Sequence, residues 1–440
     1  MEVQGMDSHL VDFINCADKA DRQHIYFNDP GSLPEAFTKV PGFISELVDW
    51  TMRYGHSPNR TLAFLGALAM LAHLAGRSYA DESGARTNLY IIALGVSGMG
   101  KDDPRKTNKR LMERLDWSDS MIESATTGQA LEDAIAEHPA LFFQPDEVAS
   151  LFGQMRGQGK AAKAMSERMR RLYSSSDSEY MPRKKAVVGG KVDAESPLAH
   201  PILRPHLTVF GTGVPEEMLD ALTPQEIRNG LFGRCLVLNV PDDNLRQEGE
   251  AFVALPPRVV RVGEMLVAKE KLTQESGVIG MHVVPASDEA KEMKRMAMAF
   301  IGRQRKLLQE ADLMNAHAIM SRLDEKISKL ALIYAISENP NDPRITRAAV
   351  EWAIGFAVHV VGWMLYEAQF HLAEGGFGRL KERAMALMSK RGGSIDRRSL
   401  FRAMHRDEPT FKRLIKALLL AEEIEEPEVI DGKTVYTLAK

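Results

Sequence analysis

The residues of this chain best suited to chemistry are a lysine that follows a run of spaced glycines and an Asp-Glu pair about 45 residues further on. The stretch LGVSGMGKDDPRK, Leu94 to Lys106, places Gly95, Gly100 and Lys101 in the pattern G-x-x-x-x-G-K, with Ser97 and Gly98 between them. A loop of this kind turns its backbone N–H groups toward phosphate oxygens, and its lysine reaches the β- and γ-phosphates of a nucleotide. The next residue is ordinarily Ser or Thr, whose hydroxyl sits on the magnesium ion, but here it is Asp102. Asp102 keeps an oxygen at that position and adds a negative charge beside a triphosphate, which Mg2+ or the cations Lys101, Arg105 and Lys106 must offset. Three readings follow: a working ATP site, a nucleotide held tightly and hydrolysed slowly, or a glycine turn without a ligand.

Three further stretches fit phosphoryl transfer. The apolar run PALFFQPDE ends on Asp146, a candidate Mg2+ ligand, and Glu147, which could polarise the attacking water. HLTVFGTG ends near Thr212, a polar group able to sense the γ-phosphate or, equally, to cap the helix that follows. Arg234 opens the run RCLVLNV, with Arg228 just upstream, and a guanidinium there could reach a neighbouring subunit's nucleotide or form a surface ion pair.

The elements needed to position these groups are legible. LYIIALG reads as a strand entering the glycine loop, and DPRKTNKRLMERL reads as the helix leaving it. Residues 1–80 read as a helical N-terminal region, with amphipathic or apolar segments at Gly42 to Tyr54 and Thr61 to Leu74. Residues 81–280 read as an α/β nucleotide-binding core. Within it KAVVGGKVDA, about residues 180–195, is predicted to form a hairpin whose Lys184, Lys185 and Lys191 would grip a DNA backbone, or else a solvated loop. Residues 281–372 read as a helical lid, with Thr346 a cap and Arg322 a second candidate sensor arginine. QFHLAEGGFG marks a linker. Residues 378–440 read as three helices and a hairpin around Asp431-Gly432, a winged-helix pattern suited to DNA contact or to protein docking. Between Arg379 and Lys416 stand twelve Lys/Arg against four Asp/Glu, with Lys412, Arg413 and Lys416 on the first turns of the third helix as candidate phosphate contacts.

Composition bounds the rest. The chain has 440 residues, 44% of them hydrophobic, enough for several packed domains. A net charge of -4 excludes a uniformly basic coat, so any DNA contact must be local. Two distant cysteines offer neither a zinc spacing nor a disulfide framework and fit a reducing cytoplasm. The first residues, MEVQGMDSHLVDF, lack the pattern of a secretory signal, and Thr61 to Gly76 reads as a buried helix too short to span a membrane.

Taken in order, SPNRTLAFLGALAMLAHLAGR, RTNLYIIALGVSGMGKDDPRK, FFQPDEVASLFG, LTVFGTGVPEEM and NGLFGRCLVLNV resemble the helicase-like P-loop ATPases of bacteriophages and prophages, across roughly residues 55 to 360. Relatives of that kind are often fused to a primase-polymerase domain, and some carry GKD where most P-loop proteins have GKS or GKT. The resemblance implies an AAA+/RecA-like P-loop NTPase core with a helical lid and a C-terminal winged-helix domain. It further implies a cytoplasmic ATP- and Mg2+-dependent motor of phage DNA replication, a hexameric ring that handles DNA, single-stranded or duplex, beside a separate primase or polymerase. Two other readings stay open. One is a nucleotide-switched initiator or helicase loader, and the other is a DNA-binding regulator with a vestigial loop.

Overall fold

The computed structural model describes residues 27–148, 151–152, 160–182, 200–221, 227–241, 247–250, 253–371, 376–404, 408–430 and 432–439. The chain divides into two units, Met1–Leu365 and Tyr366–Lys440.

The first unit is mixed α/β, built on a five-stranded parallel sheet. Its strands are β2 (Tyr90–Leu94), β3 (Met121–Ile122), β4 (Ala140–Phe143), β7 (His206–Gly213) and β8 (Cys235–Asn239), in the spatial order β3-β4-β7-β2-β8. A parallel sheet is covered on both faces, so its strands lose the alternation of a half-exposed strand. That is why YIIAL, ALFF and HLTVFGTG are buried along their whole length. Outside this sheet, β1 (Tyr79–Asp81) pairs in parallel with β9 (His282–Val284), and β5 (Glu179–Tyr180) pairs with β6 (Ile202–Leu203).

Two N-terminal helices, α1 (Phe43–Tyr54) and α2 (Arg60–Ala75), behave differently because their sequences do. The amphipathic α1 buries one face, Phe43, Ile44, Leu47, Val48 and Trp50. α2 is apolar all round, is buried from Thr61 to Ala75, and packs against β2, β4 and β7. Its start is set by Asn59, whose side chain accepts from the Leu62 N–H at 3.0 Å. It does not present an apolar exterior: two helical stretches are long and apolar enough to cross a membrane, Arg60–Ser78 and Arg347–Gln369, and 100% and 78% of their apolar windows are buried inside the fold.

The segment read as a lid is helical, with helices over Asp288–Glu310, Met314–Met320, Leu323–Glu338 and Arg347–His371, and Thr346 Oγ1 accepts from the Ala349 N–H at 3.3 Å. The β9 strand and a 20-residue helix, Pro257–Ser276, precede them and were not visible in the sequence pattern. Lys326 and Lys329 are buried within this helical region, and burial holds both ammonium groups down at about 8.

The second unit contains helices Gly376–Lys390, Arg397–Met404 and Glu408–Leu420 with an antiparallel sheet in the order β10 (Ser394–Asp396), β12 (Lys433–Thr437), β11 (Glu428–Ile430). Met388, Ile395, Leu400, Phe411, Leu414, Leu418 and Tyr436 form its core. The hairpin around Gly432, which has a φ of 72°, was expected; β10 was not, because three residues between a glycine pair and a helix carry no readable period.

Candidate functional site

The site lies at the C-terminal ends of three adjacent strands, where open parallel sheets present their ligand crevice. β2 ends at Leu94 and passes into the glycine loop, and Lys101 leads directly into helix α3 (Asp102–Arg114). Gly98 and Gly100 take φ values of 89° and 78°, which glycine adopts without strain. Gly95 is anchored to the sheet by its N–H, which donates to the Gly213 carbonyl at 2.9 Å. Val96, Ser97 and Gly98 are exposed beside the start of a 13-residue helix, and the Val96 N–H donates to the Met99 sulfur at 3.1 Å.

Gly100 is the most constrained of these residues. A Cβ there would lie 1.9 Å from the Ser57 carbonyl oxygen, and the positive φ adds backbone strain. Gly100→Ala is therefore expected to destabilise the fold by about 2–4 kcal/mol, because neither the backbone of Ser57 nor the loop can yield freely. A urea titration checks this, and an unchanged midpoint would show that the loop relaxes without cost.

Ser57 belongs to a wall that the sequence reading missed. The turn between α1 and α2 packs on the start of α3, where the Ser57 N–H donates to Asp103 Oδ2 at 3.1 Å. Burial raises the Asp103 carboxyl above its ordinary range. Asn59 reaches the other side, donating to the Pro241 carbonyl at 3.0 Å beyond β8. The available signal was the helix cap SPN-R, which shows where α2 starts but not what its leading turn touches.

Strand β7 lies between β2 and β4, and Thr212 pairs in register with Ala93 near the end of β2. Thr212 is fully buried, and its hydroxyl donates to the Asp146 carbonyl at 2.9 Å. Thr212 therefore holds the acidic turn in place. Gly211 helps: a Cβ there would stand 3.0 Å from Val148, so the glycine leaves room for the turn to fold against β7. Gln144, just past β4, accepts from Asn108 Nδ2 at 3.0 Å and donates to the Arg105 carbonyl at 3.2 Å, tying the acidic strand to α3.

The structure brings Asp102, Asp146 and a residue not foreseen, Glu123, around one cation, Arg105. The Arg105 guanidinium lies 2.5 Å from Asp146, 3.0 Å from Glu123 and 3.7 Å from Asp102, and only 9% of its side chain is exposed. Lys106 adds a second cation 4.0 Å from Asp102. The expected offset for the Asp102 charge is thus present in the geometry. Asp102 and Asp146 are themselves 64% and 65% exposed, so these pairs contribute less than about 1 kcal/mol each. Glu123 escaped notice because it follows a two-residue strand, too short to show a pattern. Glu147 is exposed beside Asp146. Lys101 has no ion-pair partner among the described residues.

Two carboxylates facing one crevice, with open coordination for water and phosphate oxygens, form a donor set that fits Mg2+. Arg105 and a divalent cation would compete for the same Asp146 carboxylate. Among the described residues no group of three or more His, Cys, Asp or Glu is gathered as a metal site, so phosphate oxygens and water would complete the coordination.

Arg234 is placed elsewhere. It precedes Cys235, which pairs with Tyr90 at the start of β2, so it stands at the opposite end of the sheet, about 13 Å along a five-residue strand from the glycine loop. Its guanidinium donates to the Gly230 carbonyl at 2.8 Å and to Ser174 Oγ at 3.1 Å, and burial lowers its pKa. Arg322 shares that end of the sheet and pairs with Glu325 at 2.9 Å, so the structure does not bring it to the glycine loop of its own chain. Arg228 is exposed.

The predicted hairpin with Lys184, Lys185 and Lys191 lies outside the described residues. In the second unit, Lys412 and Lys416 are exposed on one face of their helix, one turn apart, opposite Phe411, Leu414 and Leu418. The side chain of Arg413 lies outside the described residues. Part of the basic excess is neutralised locally, by Arg397 with Glu408 and by Lys381 with Glu423 at 2.9 Å. No protein-family model matches the chain, and no curated protein is significantly similar to it.

Proposed function

We propose that this chain is an ATPase of the P-loop NTPase class, AAA+-like in its motif order, that acts as a ring-forming DNA motor with a C-terminal winged-helix domain. One observation carries the reading. The Gly95–Lys101 loop, Thr212 and Asp146 stand together at the C-terminal ends of neighbouring parallel strands, with α3 aimed at the same crevice.

In this reading the loop N–H groups and the α3 N-terminus hold the phosphates, and Lys101 neutralises the β- and γ-oxygens. Magnesium, when bound, supplies charge neutralisation on the phosphate oxygens, with Asp146 and Asp102 as its protein ligands. Glu147 orients the attacking water, and Thr212 keeps the acidic turn in register with the loop. Arg234 is held by Gly230 and Ser174 at the far end of the sheet, and a neighbouring subunit's nucleotide is its candidate target. Leaving its Gly230 and Ser174 contacts is then part of ring assembly. Lys412 and Lys416 supply an exposed basic face for a DNA backbone.

The Arg105–Asp146 contact favours one second reading, a nucleotide-switched initiator or loader in which the nucleotide is held and turned over slowly. Steady-state ATP hydrolysis with and without single-stranded DNA, beside Glu147→Gln, separates the two. Turnover raised by DNA and lost in Glu147→Gln supports the motor. Binding without DNA-stimulated turnover supports the switch, and the absence of both removes the reading altogether.

Asp102→Thr is expected to keep or raise turnover, because it restores the usual hydroxyl and removes one anion from the crevice. Kinetics at varied magnesium check this. Complete loss would give Asp102 a role of its own.

A further inference from the structure

The C-terminal hairpin of the second unit carries the wrong sign of charge for a DNA contact. Residues 421–439 hold six Asp/Glu and one cation, Lys433. Glu423 is paired with Lys381 at 2.9 Å. Glu422, Glu425, Glu426 and Glu428 are exposed, and none of them has an ion-pair partner among the described residues. Lys433 is exposed opposite Ile430, so one cation stands against four uncompensated carboxylates.

The same hairpin leaves aliphatic side chains in solvent. Val429 is 73% exposed and Ile430 50%. Successive residues of a strand point to opposite faces, so β11 is uncovered on both of them. It is also the edge of its sheet, with β12 as its neighbour. Charge ordinarily blunts such an edge, whereas exposed aliphatic residues work against that protection and mark a contact surface. The carboxylates disfavour two copies meeting hairpin to hairpin, because like charges would face each other.

A surface of opposite sign lies on the same unit. Lys412, Lys416 and Leu420 follow one another at four-residue spacing on the helix Glu408–Leu420, and all three are exposed, Leu420 by 77%. Glu408 lies 3.8 Å from Lys412 but also pairs with Arg397, so this face keeps a positive balance. Two lysines leading to an exposed leucine thus match four carboxylates beside Val429 and Ile430, in charge and in apolar character.

We propose that the acidic hairpin of one copy docks on the Lys412–Leu420 face of a second copy of this chain. Such a contact joins unlike patches, so it repeats head to tail and closes into a ring or extends as a filament. It needs no nucleotide. Lys412 and Lys416 are also the candidate DNA contacts of this unit, so docking and DNA binding at this face exclude each other, and the docked form is the one without DNA.

Sedimentation velocity of the full chain, without ATP or DNA, tests this with reciprocal charge reversals. One variant carries Glu425→Lys, Glu426→Lys and Glu428→Lys in the hairpin, and the other carries Lys412→Glu and Lys416→Glu in the helix. All five side chains are exposed, so both variants are expected to fold, which circular dichroism checks. The native chain is expected to self-associate, and each variant alone at least about tenfold more weakly. An equimolar mixture of the two variants is expected to recover association, since each reversed patch then meets its opposite. A native chain that stays monomeric overturns the proposal and leaves the hairpin to a different basic partner. Association unchanged in both variants, or not recovered in the mixture, overturns it as well. ATP binding at the Lys101 loop is a separate measurement, so failure of the docking contact and failure of the nucleotide reading are told apart.

Discussion

Lys101→Ala is expected to lower ATP turnover at least about a hundredfold while leaving the fold intact. The argument begins with position. Lys101 is half-buried at the junction of loop and α3 and has no ion-pair partner among the described residues, so its ammonium supports no other part of the structure. Its charge is available to the crevice, where the proposed phosphoryl transfer would concentrate negative charge and where preorganised cations are worth most. Arg105 cannot substitute, because its guanidinium is already divided among Asp146, Glu123 and Asp102. Circular dichroism and a urea titration of the variant should match the parent, and turnover should not. Retained turnover would mean that hydrolysis, if present, occurs elsewhere.

The second large effect is on stability in acid. His73 is fully buried, stacked on Phe142, with Nε2 3.1 Å from Ser120 Oγ, and burial holds its pKa down at about 3. His206 is buried too, bonded to Thr87 Oγ1 at 2.9 Å, and burial pushes its pKa well below the ordinary value. Both stay neutral in the folded chain while the unfolded chain takes up a proton near pH 6.5. Stability is therefore whole above about pH 6.5 and falls as pH drops below it, by about 2 kcal/mol at pH 5 for His73, with His206 acting in the same direction. The raised carboxyls of Asp103 and Glu270 act oppositely, lower on the scale. Urea unfolding between pH 7 and 5 should show this loss, and His73→Gln should reduce the slope. An unchanged slope in that variant would place the acid sensitivity in other groups.

Much of the architecture was legible because it depends on local pattern. YIIAL and ALFF could be read as buried strands from continuous apolar runs, α1 from its period, and the C-terminal helices and hairpin from caps and Asp431-Gly432. β3, β9 and β10 were not legible, since strands of two or three residues carry no period and form through pairing with distant chain. The same division runs through the site. Gly95, Lys101, Asp146 and Thr212 lie at strand ends in an order that spacing reveals, and the fold gathers them. The Ser57 wall, Glu123 and the far placement of Arg322 depend on how distant segments pack, which no spacing records. Asp102 lies between the two. Its type raised the question of charge, and only the fold places Arg105 among the three carboxylates.

The central claim is that the glycine loop and its acidic neighbours hold a nucleotide, and calorimetric titration of the native chain with ATP, with and without magnesium, tests it most directly. The account predicts one ATP per chain, bound more tightly with magnesium and lost in Lys101→Ala. No saturable binding of ATP, or binding unaffected by Lys101→Ala and indifferent to magnesium, would contradict it.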